Sequence, residues 1–134
     1  MGTEIRIYYE DTDAGGVVYH ANYLGYLERG RTEYLRGRGV SVKELADLGQ
    51  IFPVVRLEID FRAPAELDDL LTVSTEVRRV GRTSFTLRQQ IMRPLDERLL
   101  VDALITLVCV RPGMKARRLP EALIHALGGS TPEE

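Results

Sequence analysis

Apolar and polar positions along this chain fall into two periods, and the order of those periods predicts its fold. Residues 4–9 alternate and read as a short strand. Between residues 22 and 38 the period lengthens. Tyr23, Leu24, Leu27, Tyr34 and Leu35 take helical spacing, with Glu28, Arg29, Arg36 and Arg38 at polar positions. Asn22 is the expected N-cap, and Gly39 sits where a left-handed residue would end the helix. Gly25 and Gly30 are costly inside a helix, which predicts a sheet or another backbone passing close to them. A shorter helix over residues 42–48 stops at Gly49.

Period two then takes over. Val55, Leu57, Ile59 and Phe61 alternate with Arg56, Glu58, Asp60 and Arg62, the pattern of a strand with one buried face. Leu71, Val73, Thr75 and Val77 repeat it, and Gly81 marks a break before Phe85, Leu87, Gln89 and Ile91. Residues 99–110 are apolar on both faces except at Asp102 and Thr106, which suits a central strand or one covered by a partner subunit. Turns are expected at Pro64 with Glu66, Asp68 and Asp69, and over residues 94–97. A short amphipathic helix over 121–127 and a loose tail over 128–134 close the chain. One strand, one long helix and four strands pairing as consecutive antiparallel neighbours predict an α+β fold, a helix lying across a curved sheet. No linker divides residues 1–134, so one domain is expected.

Composition narrows the function classes. The formal net charge of −2 argues against a broad nucleic-acid surface. No segment reads as a signal peptide, and no run approaches the ~20 apolar residues of a membrane span, so membrane insertion is not expected and the cytoplasm is the expected location. Cys109 is the only cysteine, and His20 and His125 the only histidines. They give neither an internal disulfide nor the ligand set of a structural zinc site, and no metal or cofactor is expected.

The chemistry concentrates in the segment from Tyr8 to Leu24. Asp13 is followed by Ala14, Gly15 and Gly16, small residues that let backbone amides approach a ligand. A helix then begins, and its first amides lack internal partners and favour negative charge. A carboxylate beside an electropositive backbone corner is what acyl transfer requires: a base or nucleophile at the carbonyl carbon and donors for the oxyanion. The same residues would equally serve a plain turn, with Asp13 capping it and His20 packing at the helix start.

The run Asp11-Thr12-Asp13-Ala14-Gly15-Gly16-Val17-Val18-Tyr19-His20-Ala21-Asn22-Tyr23-Leu24 resembles the signature of the 4-hydroxybenzoyl-CoA thioesterase family, closest to the branch associated with the Tol-Pal system. The resemblance continues through residues 28–36, 52–56 and 64–69, the late block Val108-Cys109-Val110, and Lys115 and Arg117. It implies a hotdog fold, in which a long helix is wrapped by an antiparallel sheet. It further implies a homodimer with active sites at the subunit interface, assembled into a homotetramer. Asp13 matches the family's catalytic carboxylate, as attacking group or as activator of water, and the backbone N–H of His20 matches its oxyanion donor. The His20 ring either takes part or simply packs. Gly16, Val17 and Tyr19 belong with the substrate-facing segment. Arg82, Thr83 and Ser84 match a position that meets CoA, and Lys115 and Arg117 supply further cations for its phosphates. Solvated sheet-edge charge would explain both basic groups as well. The expected substrate is an acyl-CoA, with acyl carrier protein as another possible thioester donor. Two other functions compete: a hotdog module that binds acyl-CoA or acyl carrier protein without turnover, and a hydroxyacyl-thioester dehydratase using His20 and Asp13.

Overall fold

The computed structural model describes residues 2–129. Strand β1 (Thr3–Arg6) leads through a single 3-10 turn (Tyr9–Asp11) and a loop into helix α1 (Asn22–Arg36) and the short α2 (Val42–Asp47). Strands β2 (Val54–Phe61), β3 (Leu70–Val80), β4 (Ser84–Arg93) and β5 (Arg98–Val108) follow. A small hairpin of β6 (Val110–Arg111) and β7 (Lys115–Ala116) precedes α3 (Glu121–Ala126).

The five long strands form one antiparallel sheet in the order β1-β3-β4-β5-β2. The α+β class therefore holds, but β2 does not pair with β3. β1 occupies that edge of β3, with Thr3 opposite Val73, and β2 crosses to β5, with Phe61 opposite Val101. The connection over residues 62–69 is too long for a tight hairpin and is bound to other segments, so nothing holds β2 beside β3. β5 lies between β4 and β2, the interior position that its two apolar faces predict.

Helix α1 packs on β1, β3 and β4. Its closest approach is at Gly30, where a Cβ would lie 2.4 Å from Val73 Cγ1, so the expected close contact is real there. At Gly25 it is not: a Cβ would meet nothing within 4 Å. Gln89, fully buried on β4, fastens helix to sheet. Its Nε2 donates to Leu27 O and to Thr75 Oγ1, both at 2.9 Å. Asn22 does not cap α1. Ala21 holds the cap position with helical dihedrals, and Asn22 Nδ2 instead donates to Asp11 O at 3.0 Å, tying the helix start to the loop before it. The helix ends two residues earlier than expected, and Gly39 takes the left-handed conformation foreseen for it, with φ +87°. At the other terminus, Gly128 and Gly129 are not loose: their amides donate to His125 O and Ile124 O at 3.0 Å, closing α3. Residues 130–134 of the expected tail lie outside the described residues.

β2 departs most from its predicted character. Leu57, Ile59 and Phe61 do lie on the helix side of the sheet, yet Leu57 is 37% and Phe61 50% exposed. The expected alternation breaks at Val55, which is 60% exposed in a bulge between Val54 and Arg56, and Val54 stands opposite Leu107 instead. α1 reaches across the β1–β3–β4 half and leaves this edge uncovered within the chain. No helix among the described residues is long and apolar enough to cross a membrane.

Candidate active site

The loop between β1 and α1 folds back on itself as a small hairpin. Thr12 bridges Val18, Asp13 N donates to Val17 O at 2.9 Å, and Gly16 N donates to Asp13 O at 3.0 Å. The reversal needs φ +83° at Gly16, a conformation that glycine adopts without steric cost. Before it, Tyr8 N donates to Asp11 Oδ2 at 2.8 Å, so Asp11 braces the 3-10 turn. The carboxylate of Asp13 is set by its own loop: Oδ1 accepts from Gly15 N at 2.8 Å. No hydrogen-bond donor among the described residues reaches its other oxygen, Oδ2.

The hairpin is seated on the segment that follows β2. Val18 N donates to Ala65 O at 2.9 Å, Val17 bridges Glu66, and Ala65 N donates to the Tyr23 hydroxyl at 3.0 Å. Burial pushes the Tyr23 pKa above the ordinary tyrosine value, against the Ala65 N–H that lowers it, so the phenol stays neutral. An ion cluster supports this wall from behind. Arg93 Nη1 meets Asp69 Oδ2 at 2.9 Å, its other side grips Asp96, and Asp69 Oδ2 also accepts from Glu66 N at 2.8 Å. Arg93 holds the Asp96 carboxyl below the usual aspartate range.

Asp13, Val17, His20, Tyr23, Phe61 and Pro64 line an open cleft of about 330 Å³. Asp13 and His20, adjacent only by inference in the sequence, are thus brought to one cleft. The His20 ring stands edge-on to Phe61 at 6.1 Å and packs on Tyr19 at 4.9 Å. At the start of the helix, Tyr19 N donates to Asp11 O and Asn22 N to Tyr19 O, but no backbone carbonyl among the described residues accepts from the N–H of His20. Of the other expected substrate-facing residues, Val17 lines the cleft, whereas Gly16 shapes the hairpin turn and Tyr19 backs His20. Phe61, Tyr23 and Pro64 were not foreseen as parts of the site. Phe61 offered one signal, as the last apolar residue of a strand that runs into a turn.

The two basic groups come together, at the other end of the sheet. Arg82 O accepts from Leu119 N at 2.9 Å, Thr83 O from Cys109 N at 2.7 Å, and Cys109 O from Arg117 N at 2.9 Å. Arg82, Lys115 and Arg117 are all exposed, while Ser84 Oγ accepts from Arg79 Nη2 at 2.7 Å. Ser84 pairs with Val108 at the end of β5, whereas the Asp13 cleft adjoins Phe61, which pairs with Val101. At a strand rise of ~3.3 Å the two sites are roughly 23 Å apart within one chain. Among the described residues there is no cluster of acidic, histidine or cysteine side chains that could hold a metal ion.

Comparison with known proteins agrees with this geometry. The family model described as Thioesterase superfamily matches residues 15–99. The Acyl-CoA thioester hydrolase YbgC of Escherichia coli O6:H1 is 43% identical over 121 residues, 90% of each chain. Among solved structures, a 1,4-dihydroxy-2-naphthoyl-CoA thioesterase from Synechocystis superposes with TM-score 0.89 at 28% identity, covering 95% of this chain and 94% of that one. A structure titled Probable Thioesterase from Bartonella henselae gives TM-score 0.84 at 39% identity, covering 90% and 98%. These likenesses join a helix lying across an antiparallel sheet to an acidic hairpin at the helix start, and they show that the chain belongs to the thioesterase superfamily, with its hotdog fold.

Proposed function

We propose that this chain hydrolyses acyl-CoA thioesters to a free acid and CoA in the cleft that holds Asp13. One observation carries the assignment: a carboxylate with one oxygen fixed by Gly15 N and the other unengaged shares a cleft with a helix start whose His20 N–H is not taken by a backbone carbonyl. The thioester oxygen accepts from that N–H, and the electron density drawn onto it is stabilised by the adjoining helix N-terminus. Asp13 Oδ2 then acts on the carbonyl carbon. As a nucleophile it forms an acyl-Asp13 anhydride and expels the CoA thiolate, and water cleaves the anhydride. As a base it takes a proton from water, whose oxygen attacks directly while the thiolate leaves and is protonated. A single turnover in ¹⁸O-water is diagnostic in one direction: label left in the Asp13 carboxylate requires an anhydride cleaved at the Asp13 carbonyl, whereas base catalysis puts the label only in the product.

The catalytic unit is a homodimer, further paired as a homotetramer, in the cytoplasm. The uncovered apolar edge of β2 supports the dimer. Two β2 strands aligned antiparallel about a two-fold axis would set the Phe61 end of one against the Val54 end of the other. The Asp13 cleft of one subunit would then face the Arg82, Lys115 and Arg117 corner of its partner, bridging a separation that one chain cannot. Those cations would hold the CoA phosphates, with Thr83 and Ser84 beside them. Acyl carrier protein presents the same kind of thioester and is a second donor to assay.

Asp13→Asn should lower kcat at least ~10²-fold, the scale for loss of a positioned acid or base, measured by thiol release from a panel of acyl-CoA substrates. Near-normal turnover would remove Asp13 from this role. Binding without thiol release in the unaltered protein would identify a non-catalytic module, and hydration of an enoyl-CoA a dehydratase.

A further inference from the structure

A second cavity, of about 140 Å³, lies between α1, α2 and the helix side of the sheet, and it shares no lining residue with the Asp13 cleft. Leu35, Leu45, Phe52 and Phe85 give it apolar walls. Glu28, Thr32, Arg31 and Gln50 interrupt them, and the last two are poorly satisfied. Gln50 Oε1 is buried and meets no hydrogen-bond donor among the described residues. Arg31 is partly buried, and the bond it makes to Gln89 Oε1 is a long 3.4 Å. Burial lowers the Arg31 pKa, and the nearby Glu28 opposes that effect. Glu28 is itself engaged, accepting from Thr32 Oγ1 at 2.7 Å.

We propose that this cavity is a binding site for a small neutral molecule with an apolar body the size of one six-membered ring and a single hydroxyl, a phenol or cyclic alcohol. Size sets the body: an apolar cavity of ~150 Å³ accommodates benzene. Polarity sets the substituent. A hydroxyl both donates and accepts, so it can give its proton to Gln50 Oε1 and receive one from the Arg31 guanidinium. It satisfies the carboxamide in either orientation of its oxygen and nitrogen. A carboxylate would suit Arg31 but would bring a second acceptor against Gln50 Oε1 and a like charge against Glu28. An ammonium would suit Glu28 but be repelled by Arg31, so a neutral ligand meets the opposed pair best. The site needs no thioester, and within one chain it is separate from the Asp13 cleft.

Titration of the full-length protein with phenol, toluene and benzoate, followed by calorimetry and ligand-observed NMR, tests this. Phenol should bind at least ~10-fold more tightly than toluene, because only phenol can answer the buried polar atoms, and benzoate should bind more weakly than phenol. Gln50→Leu should erase the preference for phenol over toluene. Val42→Phe, which fills the cavity from α2, should abolish binding of both. The ranking of the three ligands on the unaltered protein needs no variant, so it decides even if a substitution impairs folding. Equal affinity for phenol and toluene, or phenol binding that survives Val42→Phe in a folded protein, would overturn the proposal. So would loss of phenol binding in Asp13→Asn, since that would place the ligand in the other cleft.

Discussion

One phenolic oxygen, that of Tyr23, joins the helix to the wall of the cleft by accepting the buried Ala65 N–H. Tyr23→Phe keeps the ring but leaves that N–H without an acceptor, so unfolding free energy should fall by about 1–3 kcal/mol, read from urea denaturation. Because the folded pKa is raised, the tyrosine's contribution to stability is complete below the ordinary value near 10. It declines as pH climbs through the higher folded value. The variant should therefore show a shallower alkaline loss of stability than the parent. His20 poses a different test, since ring and backbone can be separated. His20→Ala removes the ring and retains the N–H, whereas His20→Pro removes the N–H at a position just before the helix, where proline is tolerated. If the backbone is the oxyanion donor, kcat should fall ~10²–10³-fold in His20→Pro and far less in His20→Ala, with thermal unfolding reporting that both fold. Asp13 and His20 were legible in the sequence because a local hairpin and helix start bring them together. Phe61 and Tyr23 were not, because their place in the cleft depends on where a distant strand ends.

Among the elements, Gly30 marks the tightest junction. Gly30→Ala gains helix propensity of ~1 kcal/mol but drives a methyl group into Val73, 2.4 Å away. Overpacking of this kind costs ~1–3 kcal/mol or more, so the variant should be destabilised, and Val73→Ala in the same chain should recover part of the loss. Additivity in that double-mutant cycle would show that the two sites are not in contact. The close approach at Gly30 could be read from the sequence because glycine in a helix interior needs a reason. At Gly25 the same reasoning finds no answer within the chain, where an added Cβ would meet nothing within 4 Å. Strand existence and facing were likewise legible from the two-residue period. Strand order was not: nothing local in β2 says that β1 will take its place beside β3.

At the scale of the whole molecule, the uncovered edge governs assembly. Leu57→Glu puts a charge on the exposed apolar side of β2 and should shift the protein toward monomer in analytical ultracentrifugation. Thiol release should fall with it, although Asp13 is untouched. A stable dimer with full activity would exclude β2 as the interface. The position of β2 has another consequence, which begins on the ribosome. Its partner within the chain is β5, and the residues opposite Phe61 are made roughly 40 residues later, several seconds at ~5–20 residues per second. β3 and β4 can zip together as soon as they emerge, whereas β2 must wait with its backbone unpaired and its apolar side chains bare. During synthesis this protein therefore exposes an adhesive strand for seconds, and nascent chains translated side by side on one message are close enough to find each other through it.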